Sequence, residues 1–292
     1  MNEIVMISGK GGTGKTSITA SFAYLSGQKS ILADCDVDAA DMHLLMHPNF
    51  KISHDFYSGK LANINHDKCT NCNLCAEKCR FNAIYIENEQ HFISALNCEG
   101  CGYCAHICPK KAISMEKQFA GQWYISTTKL GNKLVHAKLG IGGENSGKLV
   151  AKVKNEATKI AEENQIDYIL VDGSPGIGCP VISSLSGAKL VIIVTESTVS
   201  GLHDLKRVYE LVKKFNIKTG CIINKFDINP EVTIEIEAFI KEENISLISY
   251  FPYDETFTEA MTLGITIAEY NNNMKQLLMM SWEQIKKLIN KI

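Results

Sequence analysis

The chain predicts a doubly wound, mainly parallel-sheet α/β fold into which a small α+β domain is inserted, and three observations carry that expectation. Short apolar runs such as Tyr168 to Val171 and Val191 to Val194 alternate with amphipathic stretches, the pattern of a parallel sheet buried on both faces. A glycine-rich loop, Gly9-Lys10-Gly11-Gly12-Thr13-Gly14-Lys15-Thr16, follows the first apolar run. Between about residues 61 and 116 the alternation stops, and turns, cysteines and short β-like pieces replace it. The expected organisation is a first part of the main domain over 1–60, an insertion over 61–116 and the remainder over 117–292.

In order, Ile4 to Ile7 reads as the first strand, Thr16 to Ser26 as the first helix, and Ser30 to Ala33 as a second strand leading into Asp34-Cys35-Asp36. The insertion repeats itself: each cysteine run is followed by three residues and then Ala-Ile, at Ala83-Ile84 and again at Ala112-Ile113. Trp123 to Ser126 and Lys133 to Leu139 read as extended pieces returning to the main domain. A helix is expected over Lys148 to Asn164, then strands at Tyr168 to Val171 and Val191 to Val194 and a helix over His203 to Phe215. A strand at Cys221 to Ile223, a helix over Glu231 to Lys241 and a strand at Ile245 to Phe251 follow. The closing helix, about Met274 to Lys291, carries Trp282, Ile285, Ile289 and Ile292 on one side. That stripe reads as packing on the sheet rather than membrane targeting.

At 292 residues and 45% hydrophobic, the chain has enough apolar surface for one large core and a small module. A net charge of −2 supplies no basic field for nucleic acid. No apolar stretch is long enough to span a bilayer, so membrane association is not expected. Eleven cysteines in so long a chain fit metal ligation better than a disulfide scaffold. The glycine loop begins so near Met1 that no leader fits before it, and a reducing, low-oxygen cytoplasm is the expected location.

The loop satisfies G-x-x-x-x-G-K-[ST] between a strand and a helix, the context of a phosphate-binding P-loop. Its backbone N–H groups, from Gly9 through Gly11, Gly12, Thr13 and Gly14 to Lys15, Thr16 and Ser17, are the expected nucleotide cradle. Lys15 is placed to contact the β- and γ-phosphates, and Thr16 to ligate Mg²⁺. Lys10 adds a second lysine, completing K-G-G-x-G-K-[ST]. With it the chain outside the insertion resembles the MinD superfamily of P-loop ATPases, which includes division-site and plasmid-partitioning ATPases and the nitrogenase iron protein. In that family the first lysine reaches the partner's nucleotide, so the resemblance implies an ATP-sandwiched homodimer closed by Lys10. It also places Asp36 as the switch I carboxylate that orients the attacking water. Asp34 and Asp38 beside it either support the Mg²⁺ shell or are solvated. Asp172, opening Asp172-Gly173-Ser174-Pro175-Gly176, resembles the switch II aspartate that holds a Mg²⁺-bound water and senses the γ-phosphate. Lys10, Lys15, Asp36 and Asp172 are thus the implied catalytic set. Asn224-Lys225-Phe226-Asp227 resembles a base-reading N-K-x-D element; the family's matching asparagine contacts adenine beneath the loop here formed by Pro252-Tyr253-Asp254. Asn224, Pro252 and Asp254 are therefore expected at the base. ATP is favoured, while Asp227 keeps guanine open.

Cys69-x-x-Cys72-x-x-Cys75-x-x-x-Cys79 and Cys98-x-x-Cys101-x-x-Cys104-x-x-x-Cys108-Pro109 resemble the bacterial ferredoxin pattern, in which the fourth cysteine of each run ligates the other cluster. The resemblance implies two [4Fe–4S] clusters, one on Cys69, Cys72, Cys75 and Cys108, the other on Cys98, Cys101, Cys104 and Cys79. Arg80 stands where the pattern has a proline, as at Pro109. Paired C-x-x-C units also bind zinc, but the third and fourth cysteine spacings argue against it. The full expectation is a P-loop NTPase carrying an α+β ferredoxin domain.

Gly142-Gly143-Glu144-Asn145-Ser146-Gly147-Lys148 resembles a G-E-x-S-G-K segment of the family's ferredoxin-containing branch. It reads either as a coupling switch or as a helix N-cap loop. Cys35, Cys179 and Cys221 read as buried free thiols. The expected activity is ATP hydrolysis that drives dimer closure and electron transfer to an acceptor protein. An iron–sulfur carrier or scaffold, and a positioning ATPase with a redox sensor, are the alternatives.

Overall fold

A computed structural model describes residues 1–140 and 145–291. It divides into two compact units, one of Met1–His54, Trp123–Lys138 and Ser146–Ile292, the other of Asp55–Gln122 and Leu139–Asn145. In chain order the elements are β1 (Asn2–Ser8), α1 (Lys15–Ser26), β2 (Ser30–Asp34), α2 (Met42–Met46) and β3 (Ile52–Ile64). Next come α3 (Leu74–Lys78), β4 (Ile84–Glu87), β5 (Gln90–Ile93), α4 (Tyr103–Ile107), β6 (Ile113–Thr127) and β7 (Lys133–Leu139). Then follow α5 (Ser146–Glu163), β8 (Tyr168–Pro175), α6 (Cys179–Leu185), β9 (Leu190–Glu196), α7 (Val199–Lys213) and β10 (Lys218–Asn224). The chain ends with α8 (Pro230–Glu242), β11 (Ser246–Phe251), α9 (Thr256–Thr262), α10 (Ile267–Tyr270) and α11 (Asn272–Ile289).

The main sheet runs β11-β10-β9-β1-β8-β2-β7-β6-β3, and every pairing from β11 across to β7 is parallel. Successive strand side chains face opposite ways, and both sets are buried here: Ile4 and Met6 on one face of β1, Val5 and Ile7 on the other, are all 0% exposed. That is the signature of a sheet covered on both sides, and it explains why the central strands read as unbroken apolar runs. Ile4, Met6, Leu170 and Ile192 meet Phe22 of α1 and Leu278, Trp282 and Ile285 of α11. Trp282 stacks on Phe22 at 5.5 Å between ring centroids and meets Tyr168 edge-on at 5.2 Å. Its burial contributes roughly 5 kcal/mol before entropy is counted. The closing helix is thus a core element; Ile292 lies outside the described residues.

Several elements differ from the sequence expectation. Helix α7 starts at Val199, ahead of His203, because the Thr198 hydroxyl accepts from Gly201 N and caps it. Short helix α6, with Pro180 in its first turn, has too few residues to show a period. Cys179 opens it and is exposed, which corrects the expectation of a buried thiol; the Gly176-Ile177-Gly178 turn places it outside the core. Cys35 and Cys221 are buried, and burial pushes both thiols up. Strand β3 is an element the sequence did not predict, because most of its residues are exposed and no apolar alternation marks it.

The second unit holds all eight cysteines of the two runs. Its halves match in backbone conformation: Asn73 and Gly102, each opening a one-turn helix, have φ of 64° and 75°, and Asn82 and Lys111 have φ of 50° and 48°. Ala83 N donates to Cys79 Sγ at 3.4 Å, and Ala112 N to Cys108 Sγ at 3.3 Å. Its core cluster is small: Ala62, Ile64 and Ile113 are buried, with partly buried cysteines, Ile84, Ile93 and Met115 packed against them. So small an apolar core is marginal for a unit of this size.

Candidate functional site

The sheet order brings the chemistry to one edge. Asp34 of β2 pairs in register with Asp172 of β8, and Asn224 of β10 with Glu196 of β9. β1, which feeds the glycine loop, lies between β8 and β9. All these residues stand at or near the carboxyl ends of parallel strands, where open α/β sheets bind ligands. Gly14 supplies the turn into α1 with φ 87°, and a Cβ there would lie 2.5 Å from Asn224 Nδ2. Gly9 passes so close to α7 that a Cβ would meet that of Asp204 at 2.4 Å. Ser17 is buried in the first turn of α1, while Gly11 and Gly12 are exposed.

Lys15 Nζ lies 2.8 Å from Asp172 Oδ1 and 3.6 Å from Asp36 Oδ2. Thr16 Oγ1 donates to Asp172 Oδ2 at 2.7 Å, and Thr19 Oγ1 to Asp172 Oδ1 at 3.2 Å. Burial lowers the Lys15 ammonium, but Asp172 and Asp36 outweigh it and hold the group above its ordinary value. Three carboxylates, Asp34, Asp36 and Asp172, therefore surround one lysine. Burial, reinforced by Asp172, raises Asp34 well above the usual range. Burial also pushes Asp36 up to about 6, against the pull of Lys15. Among the described residues Asp34 Oδ2 and Thr13 Oγ1 are buried without a hydrogen-bond partner. A cluster of carboxyl oxygens, one of them without a hydrogen-bond partner, beside a threonine hydroxyl suits a hard divalent cation, whose charge would favour the ionised form. Asp38 is exposed while Asp34 is buried, which separates the two neighbours the sequence left open.

At the base end, Asn224 Nδ2 donates to Thr13 O at 2.8 Å. Asp227 Oδ1 accepts from Tyr253 N at 2.7 Å, and Asp254 Oδ1 accepts from Thr256 N at 2.8 Å. Both carboxylates thus hold the loop that carries the half-buried Pro252. Lys10 Nζ meets Glu196 Oε1 at 2.7 Å, and it also donates to Ser200 Oγ at 2.7 Å and Thr198 Oγ1 at 3.3 Å. Lys225 Nζ takes the other Glu196 oxygen at 2.9 Å and donates to Gly12 O at 3.1 Å. Sequence reasoning missed Glu196, Thr19 and the hydroxyls that receive Lys10, and it read Lys225 only as part of the base-reading N-K-x-D element. A glutamate ending a buried strand was the available signal for Glu196.

In the second unit none of the eight cysteines forms a disulfide. A cavity of 390 Å³ is lined by Cys75, Cys79, Cys98, Cys101 and Cys104. A second, of only 20 Å³, is lined by Cys69, Cys72, Cys75 and Cys108. It offers little more than the space of one water. Among the described residues, no three His, Cys, Asp or Glu side chains converge as a site for a single metal ion. A four-iron cluster makes a different demand, spreading four thiolates over its corners. Burial raises the Cys75 and Cys104 thiols against the opposing backbone N–H bonds. Of the segment 142–148, Gly142, Gly143 and Glu144 lie outside the described residues; Ser146 begins α5 and Lys148 is exposed.

A glycine loop with its lysine and threonine, facing strand-end aspartates on a parallel sheet, defines a P-loop nucleotide-binding protein. The chain belongs to the CobQ/CobB/MinD/ParA nucleotide binding domain family, whose profile matches residues 4–267. It is a MinD/ParA-type ATPase. An uncharacterized protein of Methanocaldococcus jannaschii is 32% identical over 98% of this chain and 97% of its own length. The iron-sulfur cluster carrier protein of Pyrococcus horikoshii is 25% identical over 50% of this chain and 53% of its own. Among solved structures, the septum site-determining protein MinD complexed with Mg-ADP from Pyrococcus horikoshii superposes with a TM-score of 0.60. That likeness is at 21% identity and covers 98% of this chain and 96% of that one.

Proposed function

We propose that this protein is an ATP-hydrolysing iron–sulfur protein that couples ATP-driven closure of a homodimer to electron transfer from two [4Fe–4S] clusters to a redox partner protein. The observation that carries the reading is the mixed grouping of the thiols: Cys79 of the first run lines one cavity with Cys98, Cys101 and Cys104 of the second, Cys108 of the second lines the other with Cys69, Cys72 and Cys75 of the first, and Cys75 borders both. Cys69, Cys72, Cys75 and Cys108 would hold one cluster, and Cys98, Cys101, Cys104 and Cys79 the other. When bound, the clusters would supply one-electron chemistry at low potential. The paired N–H···S bonds, from Ala83 N to Cys79 and from Ala112 N to Cys108, hold these two sulfurs in matching positions of the two halves.

In the nucleotide site Lys15 and the loop amides hold the phosphates, and Thr16 holds Mg²⁺ with Asp172 behind it. Asp172 must first release Lys15 and Thr16, so nucleotide entry changes the partners of the β8 end. Asp36 orients the attacking water, and Lys10 reaches the nucleotide of a second copy. Asn224 and the Pro252–Asp254 loop hold adenine, and Asp227, whose Oδ1 accepts from Tyr253 N, anchors that loop. Closure drives transfer only to the extent that ATP binds the closed state more tightly than the open one.

The partial match to an iron-sulfur cluster carrier protein favours one second reading, a cluster carrier. Anaerobically prepared protein separates the two. The electron donor is expected to hold about eight irons per chain through gel filtration and to leave an apo-ferredoxin empty after an hour with ATP. Transfer of iron to that acceptor would establish the carrier, and protein that takes up no iron on reconstitution would end both readings.

A further inference from the structure

Glu196 ends β9 with both carboxylate oxygens engaged by lysines from different parts of the chain, Lys10 at 2.7 Å and Lys225 at 2.9 Å. Its side chain is 10% exposed, that of Lys10 29%. Burial alone would raise this carboxyl, but the hydrogen bonds from Lys10 and Lys225 bring it below its ordinary value. Ser200 Oγ at 2.7 Å and Thr198 Oγ1 at 3.3 Å complete the seat for the Lys10 ammonium. The lysine that marks this loop is thus fully occupied within its own protomer.

We propose that Glu196 is the resting-state holder of Lys10, a carboxylate that this lysine must leave before it can reach a nucleotide bound by a second copy of the chain. The proposal rests on the reading of Lys10 as the residue that crosses to the partner. Taking one partner from a buried charge is costly when the remaining charge is left uncompensated. Here Lys225 stays on Glu196, so departure of Lys10 converts a lysine–carboxylate–lysine triad into a neutral pair. The exchange is therefore reversible, and its balance depends on the charge offered across the interface. A triphosphate, with its extra anionic charge, competes with one carboxylate and two hydroxyls better than a diphosphate does. Glu196 then acts as a specificity residue: it makes pairing of two copies respond to the γ-phosphate.

Sedimentation velocity on the full chain, with a non-hydrolysable ATP analogue or ADP at graded protein concentrations, tests this. Wild type is expected to pair with the analogue and not with ADP. Glu196→Gln keeps the shape and Lys225's acceptor but weakens the hold on Lys10. Charge-assisted hydrogen bonds at partly exposed sites are of modest strength, so the dimer Kd with the analogue should fall about tenfold and pairing with ADP should become measurable. Ser200→Ala, which removes one neutral contact, should tighten pairing roughly twofold to threefold; it serves alone should Glu196→Gln fail to fold. If Glu196 were merely structural, Glu196→Gln would weaken pairing with the analogue and give no pairing with ADP, which would refute the holder. If Lys10→Ala abolishes pairing but Glu196→Gln and Ser200→Ala pair no better than wild type, the holder is refuted and the crossing lysine stands. If Lys10→Ala pairs as wild type does, the underlying reading fails and the holder with it.

Discussion

Asp36 carries a conflict between stability and chemistry. Its carboxyl titrates near 3.9 in an unfolded chain and at about 6 in the folded one, so between those values the folded state keeps the extra proton. Stability from this group is present below pH 4, falls as pH rises and is fully lost above pH 6. Asp36→Asn is therefore expected to stabilise the nucleotide-free protein by about 1–3 kcal/mol at pH 7.5 in urea titrations, with the gap shrinking at pH 5. The same variant should lose hydrolysis by roughly 100-fold or more, because the water is no longer oriented. Equal or lower stability at pH 7.5 would show that Lys15 already offsets the burial of this charge. Lys10, Lys15, Thr16 and Asp172 were legible in the sequence because a contiguous motif, or a strand end followed by glycine, marks them. Glu196 was not, because its partners come from the first loop and from the end of β10, and only the sheet order brings them together.

Among the elements, α11 and the cysteine runs make the sharpest claims. Trp282 packs on Phe22 and Tyr168, so Trp282→Ala should cost about 3–5 kcal/mol by chemical denaturation. A loss below about 1 kcal/mol would mean that the helix is not part of the core. The parallel strands and long amphipathic helices were readable from periodicity, within a few residues at their ends. Strand β3 was not: its face is largely exposed, so apolar alternation never appears. Helix α6 was too short to show its period. In the second unit, crossed ligation predicts that two cysteines of one run serve different clusters. Cys72→Ala and Cys79→Ala, reconstituted anaerobically, should each lose one cluster, and EPR of the reduced proteins should show that the two lose different ones. Loss of the same signal in both would refute the crossing. The cysteine spacing suggested the proposed quartets; the unequal volumes of the two thiol-lined cavities were not legible, since they depend on side-chain rotamers.

For the molecule as a whole, the family and the fold follow from residues 4–267, and the eight-cysteine unit lies within the same stretch of chain. Hydrolysis and redox chemistry need not communicate merely because one polypeptide carries both. They do so only if the closed and open states differ in how readily the clusters gain or lose an electron, and linkage then makes the effect reciprocal in binding. A nucleotide that favours closure must shift the cluster potential, and reduction must shift nucleotide affinity by the same factor. The most direct measurement is the dissociation constant of a non-hydrolysable ATP analogue for fully reduced and fully oxidised protein, prepared anaerobically with both clusters present. The account predicts constants that differ by about fivefold or more, with the difference abolished in Lys10→Ala. Identical constants in the two redox states, in protein carrying its full iron, would contradict it.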